Sequence, residues 1–387
     1  MELARLVEES IDMLPYKLTW RKIAQETGMS HSVFSHFKEG SEINFKTLFT
    51  IAQMVHPDNY HTVIADWSYY VEAPMNVKFA LEYMSVNRMF DYAEDKIQQI
   101  HDSGTTSKLL IDLANAYTLL LERQQSDKTP SDFIKRIKGM RYKTPEGKFL
   151  RQMLFAYYYS DVRCFALMEE NLTIAEALLD NVNNEDLQEL YSLRIKELKA
   201  VSLLFNSNRK EEARKLCEEI VQSEVLDNPT YKAGAYFRTA TSYMFSSYDM
   251  TEAFFKKAAK IYRETGRDSV ADSVESNEME FARVLWKKVS DPLEIKDDSN
   301  RAFYYASNGM AEEALEVIAL LNQESPFTKY YEGLAKSDTN LLLESLVLFI
   351  KGGDMVYAEL PYIELQKSPQ LRGVADILIR ELTIKGD

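Results

Sequence analysis

From about Asn76 onward the chain repeats one unit, two amphipathic stretches of roughly 11–18 residues joined by a short polar turn. Such pairs fall at 77–86 with 90–101, 187–205 with 209–221, 231–245 with 250–265, 301–306 with 310–322, and 328–335 with 340–350. Successive units recur at roughly 35–45 residues, the period of tetratricopeptide-type solenoids. One pair cannot bury its own apolar face. Stacked pairs bury a continuous core between neighbours and leave a concave groove, which suits a peptide. The strict tetratricopeptide signature is degenerate. Its second-helix rhythm survives at Thr251, Phe255, Ala258 and at Ala311, Leu315, Ile318, each set at offsets 0, 4 and 7. A helical bundle without a groove is the alternative. Only 13 glycines and 10 prolines interrupt 387 residues, which favours an all-α protein.

Residues 19–40 carry a different pattern, that of a helix-turn-helix. A first helix is expected over 2–13, ended by Pro15. Thr19 caps a helix over 20–27 with Ile23 and Ala24 inward, and Gly28 supplies the left-handed turn that closes it. Ser30 is suited to capping the next helix, over 31–38, which buries Val33, Phe34 and Phe37; Gly40 stops it. A further helix starts at Asn44 or Ser41 and contains Leu48, Ile51, Ala52 and Val55. His56-Pro-Asp-Asn59 is a break, and a linker helix with Trp67, Tyr69, Tyr70 and Val71 leads into the repeats. The resulting division is a helix-turn-helix domain over 1–55, a linker helix over 56–75, a tetratricopeptide-like solenoid over 76–353 and a capping or dimerisation segment over 354–387.

On the second helix of the motif, Ser30, His31, Ser32, Ser35, His36 and Lys38 fall on the exposed side and can bond phosphates or base edges. Arg21 and Lys22 lie on the first helix, near the backbone of a bound duplex. Residues 1–60 carry six Lys/Arg against eight Asp/Glu, so nearly all of the net charge of −14 lies in the remainder. That balance argues against a body that coats nucleic acid. With so few cations, one copy binds weakly, and a homodimer on a repeated half-site is needed. The alternative for residues 19–40 is a helical hairpin packed on the body.

Catalytic motifs are absent from the sequence. It has no glycine-rich phosphate loop, and histidines 31, 36, 56, 61 and 101 have no metal-ligand spacing, so neither enzyme activity, cofactor nor metal is expected. Cys164 and Cys217 read as buried free thiols. No apolar run approaches the ~18–20 residues that cross a bilayer, and the acidic amphipathic start is no signal peptide. A cytoplasmic protein is expected.

Within the repeats, Asn-rich turns recur at 205–208 and 307–308, with a serine turn at 245–247. Asparagine in a left-handed helix end accounts for each one singly. Along a groove, however, Asn206 and Asn208 could pair with a peptide backbone, since an amide both donates and accepts. Tyr236, Arg238 and Ser242 on the adjacent helix are candidates for the same groove. Most of the 23 tyrosines read as half-buried packing. Near the C-terminus, 358–365 and 374–382 are apolar on one face, as a solenoid cap or a dimer contact requires.

A helix-turn-helix followed by degenerate tetratricopeptide pairs is the plan of cytosolic quorum-sensing peptide receptors. More narrowly, the chain resembles the AimR-type arbitrium receptors of temperate phages. The resemblance rests on the start (Met1-Glu-Leu, then Val7-Glu-Glu-Ser10), the motif at 19–40, Phe205-Asn-Ser-Asn208 with Tyr248, and Leu360-Pro-Tyr-Ile-Glu-Leu-Gln-Lys367. It runs nearly end to end and is thin in the middle. It implies a dimer that binds operator DNA and activates a gene opposing lysogeny. A short secreted peptide, re-imported by host cells, shifts that dimer away from productive DNA binding. It also implies a dimer contact at Leu360, Tyr362, Ile363 and Leu365, and a peptide pocket on the middle and later repeats, near Asn206 and 236–242. Some members carry a basic residue near the slot of Thr230; here Lys232 and Arg238 are the nearest. A scaffold that acts on a protein partner under peptide control is the second reading. It has no need of the Gly28 turn or of an exposed polar helix beside it.

Overall fold

The computed structural model describes residues 2–126 and 132–384. Met1, which opens the N-terminal stretch quoted above, and residues 385–387 of the C-terminal segment lie outside them. The described residues are helical, with no strand, and they divide into two units. One comprises the chain to residue 155 together with 174–191 and 224–228. The other comprises 156–173, 192–223 and everything from Pro229 onward.

The first unit begins with α1 (Glu2–Asp12), α2 (Trp20–Thr27), α3 (His31–Lys38) and α4 (Phe45–Val55). Local signals set these boundaries. The Thr19 hydroxyl accepts from the backbone N–H of Lys22, and Gly28 closes α2 at φ 68°. Asn44 caps α4 by accepting from the Thr47 N–H at 2.8 Å. Ser30 stands at the cap position of α3, but its hydroxyl pairs with that of Ser32 at 2.8 Å and leaves the helix end uncapped. Leu3, Val7 and Ile11 of α1 are buried, as are Ile23, Phe34 and Phe37, and Trp20 lies on the Phe34 ring at 5.3 Å.

The same unit continues through α5 (Tyr60–Ser68), α6 (Pro74–Val86), α7 (Phe90–Asp102), α8 (Lys108–Gln125) and α9 (Phe133–Gly139), while α10 (Pro145–Asp161), α11 (Phe165–Leu179) and α12 (Glu185–Val201) each have residues in both units. The linker helix expected to hold Tyr69, Tyr70 and Val71 ends at Ser68, so those three residues follow it. Helix α6 is buried on all sides from Asn76 to Val86. Its polar residues therefore need internal partners. Glu82 accepts from the Tyr117 hydroxyl at 2.6 Å, and Lys78 pairs with Glu146 at 2.8 Å. Both members of that ion pair are nearly inaccessible, at 2% and 8% exposure. Glu146→Ala would strand the Lys78 ammonium and cost about 3–5 kcal/mol, while the doubly apolar Lys78→Met/Glu146→Leu should recover most of it. Urea unfolding of the three proteins is the check, and a single variant as stable as wild type would count against the pair.

In the second unit consecutive helices joined by short turns pack as pairs: α13 (Lys210–Gln222) with α14 (Pro229–Tyr243), α14 with α15 (Tyr248–Glu264), then, after α16 (Asp268–Ser273) and α17 (Glu280–Leu285), α18 (Asp298–Ser307) with α19 (Ala311–Ile318), and α20 (Pro326–Lys336) with α21 (Thr339–Lys351). Successive pairs pack on one another, as a solenoid requires, and α22 (Glu359–Gln366) and α23 (Pro369–Ile384) close against α21. Small residues let α14 approach α15 closely: Ala233 and Ala240 share a core with Phe255, Ala258 and Ala259. Phe303 stacks between Phe281 and Tyr331, at 5.3 and 5.2 Å, carrying that core from pair to pair. At Asn308 the left-handed position falls one residue later, on Gly309 (φ 75°), whereas Asn208 does adopt it (φ 52°).

Candidate functional site

Every residue expected to meet DNA is exposed: Arg21 and Lys22 on α2, and Ser30, His31, Ser32, Ser35, His36 and Lys38 on or beside α3. The buried aromatic face of α3 holds this polar face outward. From Ser30 to Lys38 the sequence contains no carboxylate. Five of the groups are engaged within the head: Ser30 and Ser32 pair with each other, Ser35 donates to the His31 carbonyl at 3.4 Å, and Lys38 and His36 meet carboxylates. Lys38 pairs with Glu8 at 2.7 Å and lies 4.9 Å from the Trp20 ring centre, and His36 is 3.3 Å from Glu39. Arg21 and Lys22 make no ion pair among the described residues.

A second candidate site lies within the later unit, where two π-helical turns, Ser202–Asn206 and Val274–Met279, meet the segment 354–359. Wide turns of this kind recur at functional sites because they turn side chains and carbonyls off the α-helical ladder. From the first, the Phe205 carbonyl accepts the Met355 N–H at 2.7 Å. From the second, Glu278 accepts the Tyr357 hydroxyl at 3.0 Å. Asn208 donates to Glu359 at 3.1 Å, and Lys210 pairs with the same carboxylate. Phe245, Phe281 and Phe327 surround the Tyr357 ring at 6.4, 5.6 and 5.1 Å.

Two polar atoms here are buried with no hydrogen-bond partner among the described residues, Asp354 Oδ1 and Asn208 Oδ1. Burial pushes the Asp354 carboxyl up to about 6, opposed by the nearby Arg163 cation. Burial also raises Glu278, with Asp354 and Asp297 adding to the effect. Two crowded carboxyls, one with an idle oxygen, make an environment that a cationic group would relieve. Neither Asp354, Glu278 nor Tyr357 is among the sequence candidates. Single acids on helical repeats look like ordinary surface charge, and no sequence signal marks a π-turn.

The other sequence candidates are distributed as follows. Asn206 ends the first π-turn and is half-buried. Tyr236 stacks on Phe254 at 6.0 Å, with Lys257 5.4 Å from its ring centre. Ser242 is buried, donates to the Thr239 carbonyl and accepts from Arg214 at 3.1 Å. Arg238 pairs with Glu197 at 2.6 Å, and its second nitrogen, Nη1, is buried and unmatched among the described residues. Gly234 leaves room for that guanidinium, because a Cβ there would fall 2.9 Å from Nη1. Leu360 and Leu365 do not present themselves to a second copy: both are buried in their own unit's core. Their apolar face is covered from within the chain. Tyr362 is half-buried, its hydroxyl donating to Asp376 at 2.8 Å, and Ile363 is exposed. Val374 and Ile377 on α23 are exposed as well. Both cysteines are free thiols; Cys217 is buried and Cys164 only partly so. No helix among the described residues is long and apolar enough to cross a membrane.

Comparison with known proteins connects these features. A family model described as AimR transcriptional regulator-like matches residues 62–367. The AimR transcriptional regulator of Bacillus phage phi3T is 24% identical over 340 residues, spanning 84% of this chain and 86% of that protein. The AimR transcriptional regulator of Bacillus phage SPbeta is 22% identical over 355 residues, with 88% and 89% spanned. The solved structure of selenomethionine phAimR has the same fold, at TM-score 0.73 and 19% identity, covering 97% of this chain and 100% of that one. A ligand-bound phAimR gives TM-score 0.69 at 21% identity, covering 84% and 98%. The family match takes in both π-turns, the 354–359 segment and all the helix pairs from α6 to α21. The chain therefore belongs to the AimR transcriptional regulator-like family, a family of regulators and not of enzymes.

Proposed function

We propose that this chain is a peptide-responsive, DNA-binding transcription regulator that controls phage lysis and lysogeny as a homodimer in the cytoplasm of the bacterial host. Residues 1–55 read operator DNA, 56–75 link, 76–353 bind a short signalling peptide, and 354–387 cap the solenoid and contribute the dimer contact. The observation that carries this reading is the outward, carboxylate-free polar face of α3 beside the Gly28 turn. A protein-binding scaffold would have no use for it. The dimer contact draws on what α22 and α23 leave exposed, Ile363, Val374 and Ile377, with Tyr362 beside them.

The unmatched groups of the later unit support a peptide of complementary chemistry. Asp354 and Glu278 favour a cationic side chain, and Asn206 and Asn208 suit a backbone amide. Arg238 Nη1 is a donor without an acceptor, which a peptide carbonyl or C-terminus would supply. Occupancy shifts the dimer to a geometry that no longer holds two copies of α3 on their half-sites. A hundredfold preference of the peptide for that geometry corresponds to about 2.7 kcal/mol. The test is a mobility shift on the duplex upstream of the gene, with the short peptide encoded just downstream of it. A sub-micromolar complex that the peptide dissolves is the expected result. Absence of a complex at every salt concentration would defeat the reading.

A further inference from the structure

The acidic balance of the whole chain hides one strongly basic stretch. Residues 133–151 hold seven Lys/Arg and a single carboxylate, Glu146, which is already engaged by Lys78. Four of these cations, Lys138, Arg141, Lys148 and Arg151, line an open cavity of about 520 Å³ between α9, the start of α10 and the end of α11. No carboxylate lines it. Among the described residues, Lys138, Arg141 and Lys148 have no ion-pair partner, unlike Arg136 close by, which is paired with Glu122. Like charges converging without a counter-charge cost free energy, which a bound anion would relieve.

The cavity is also preorganised. Asp112 accepts from the Lys143 N–H, the Thr144 N–H and the Thr144 hydroxyl, at 2.7, 2.7 and 2.8 Å, which pins the loop carrying Arg141. Gly147 permits this fit, since a Cβ there would come within 2.8 Å of Asp112. Arg151 is steered by the Ile137 carbonyl and by the Phe155 ring, 5.2 Å away. Apart from the cations and Gln152 the lining is apolar, from Met140, Tyr142, Ile174 and Leu178. Ile174, in that lining, is 41% exposed and so uncovered by the chain's own core. A duplex backbone meets cations on open surface and would leave such a lining empty, whereas the cavity's volume is that of a small-molecule site.

We infer that this cavity binds a phosphorylated small molecule with a planar or apolar body, of the nucleoside polyphosphate class: the cations take the phosphates and the apolar side takes the body. The site stands apart from the peptide and DNA readings and does not depend on them. Calorimetry on the full chain with ATP as probe should show one saturable site with Kd of about 0.1 mM or tighter. Arg141→Ser/Lys148→Ser should weaken it at least about tenfold with no change in melting temperature, both side chains being exposed. Ile174→Ser should weaken ATP more than tripolyphosphate, and tripolyphosphate should bind the wild type several-fold more weakly than ATP. Equal affinity for tripolyphosphate and ATP would overturn the inference, since the apolar side would then contribute nothing. So would the absence of saturation by ATP. A third overturning result is a double variant that leaves ATP binding alone and weakens only a random-sequence duplex, which would make the patch a DNA-backbone contact.

Discussion

Exchanging Ser32 and Ser35 together for glutamate is expected to weaken duplex binding by the full-length protein at least about a hundredfold, close to 3 kcal/mol. The thermal midpoint should not move. Both hydroxyls are exposed on α3, and neither is part of the Phe34–Phe37 core that holds the head together. The loss arises from charge. A helix lying in a groove is surrounded by phosphates, and each new carboxylate replaces a donor with a repelled anion. The head has little to offset this, because Lys38 already leans on Glu8 and Trp20, leaving Lys17, Arg21 and Lys22 as its unpaired cations among the described residues. Fluorescence anisotropy on the operator duplex, at two salt concentrations, reads the effect. Unchanged affinity would mean that α3 is not the reading element and would favour the scaffold.

Asp354→Asn should produce the largest effect in the later unit, and its sign depends on pH. Burial raises the folded-state pKa of Asp354 from 3.8 to about 6. The folded protein thus keeps a proton that the unfolded chain has released, so this group's contribution to stability is fully present below pH 3.8 and is lost as pH rises through 6. Asparagine removes that burden. The variant should match wild type near pH 4 and exceed it by about 2 kcal/mol at pH 7.5. Urea melts at several pH values test this, and parallel curves would contradict it. Ligand binding should move the other way. A cationic peptide needs the ionised carboxylate, so wild-type affinity should fall about tenfold per pH unit below 6, and the variant should be weaker and flat with pH. Arg163, Glu278 and Tyr357 border the same carboxyl and will influence the steepness.

The parts of the chain that were legible in the sequence have local causes. Helices α2 and α3 occupy residues 20–27 and 31–38 as read, because Thr19 and Gly28 specify their ends within a few residues. The pairs from α12 onward follow a 3.6-residue rhythm bounded by polar turns. Residues 108–179 did not resolve into helix pairs. There α8 and α10 bury residues on more than one face, which blurs the rhythm. The site was less legible than the fold. Asn206 and Asn208 stood out by composition, but Asp354 and Glu278 gain their character only from neighbours distant in sequence. Leu360 and Leu365 looked like an uncovered face because the sequence does not show that the chain's own helices cover it. The cations of 133–151 were masked by averaging over an acidic chain.

The two π-turns bear on how such a receptor can diverge. A π-turn holds one residue more than the α-turn it replaces, and it commonly survives because function retains it. Removing one residue from 202–206 would restore regular helix and draw in the wide turn, while the flanking helices keep their register because the extra residue is absorbed locally. The turn's own side chains and carbonyls, among them the Phe205 carbonyl that accepts from Met355, would be repositioned. Single-codon gains and losses at 202–206 and 274–279 are thus a route to a new ligand specificity that leaves the helix pairs intact. A change there takes one step, where point substitutions would have to rebuild the recess residue by residue.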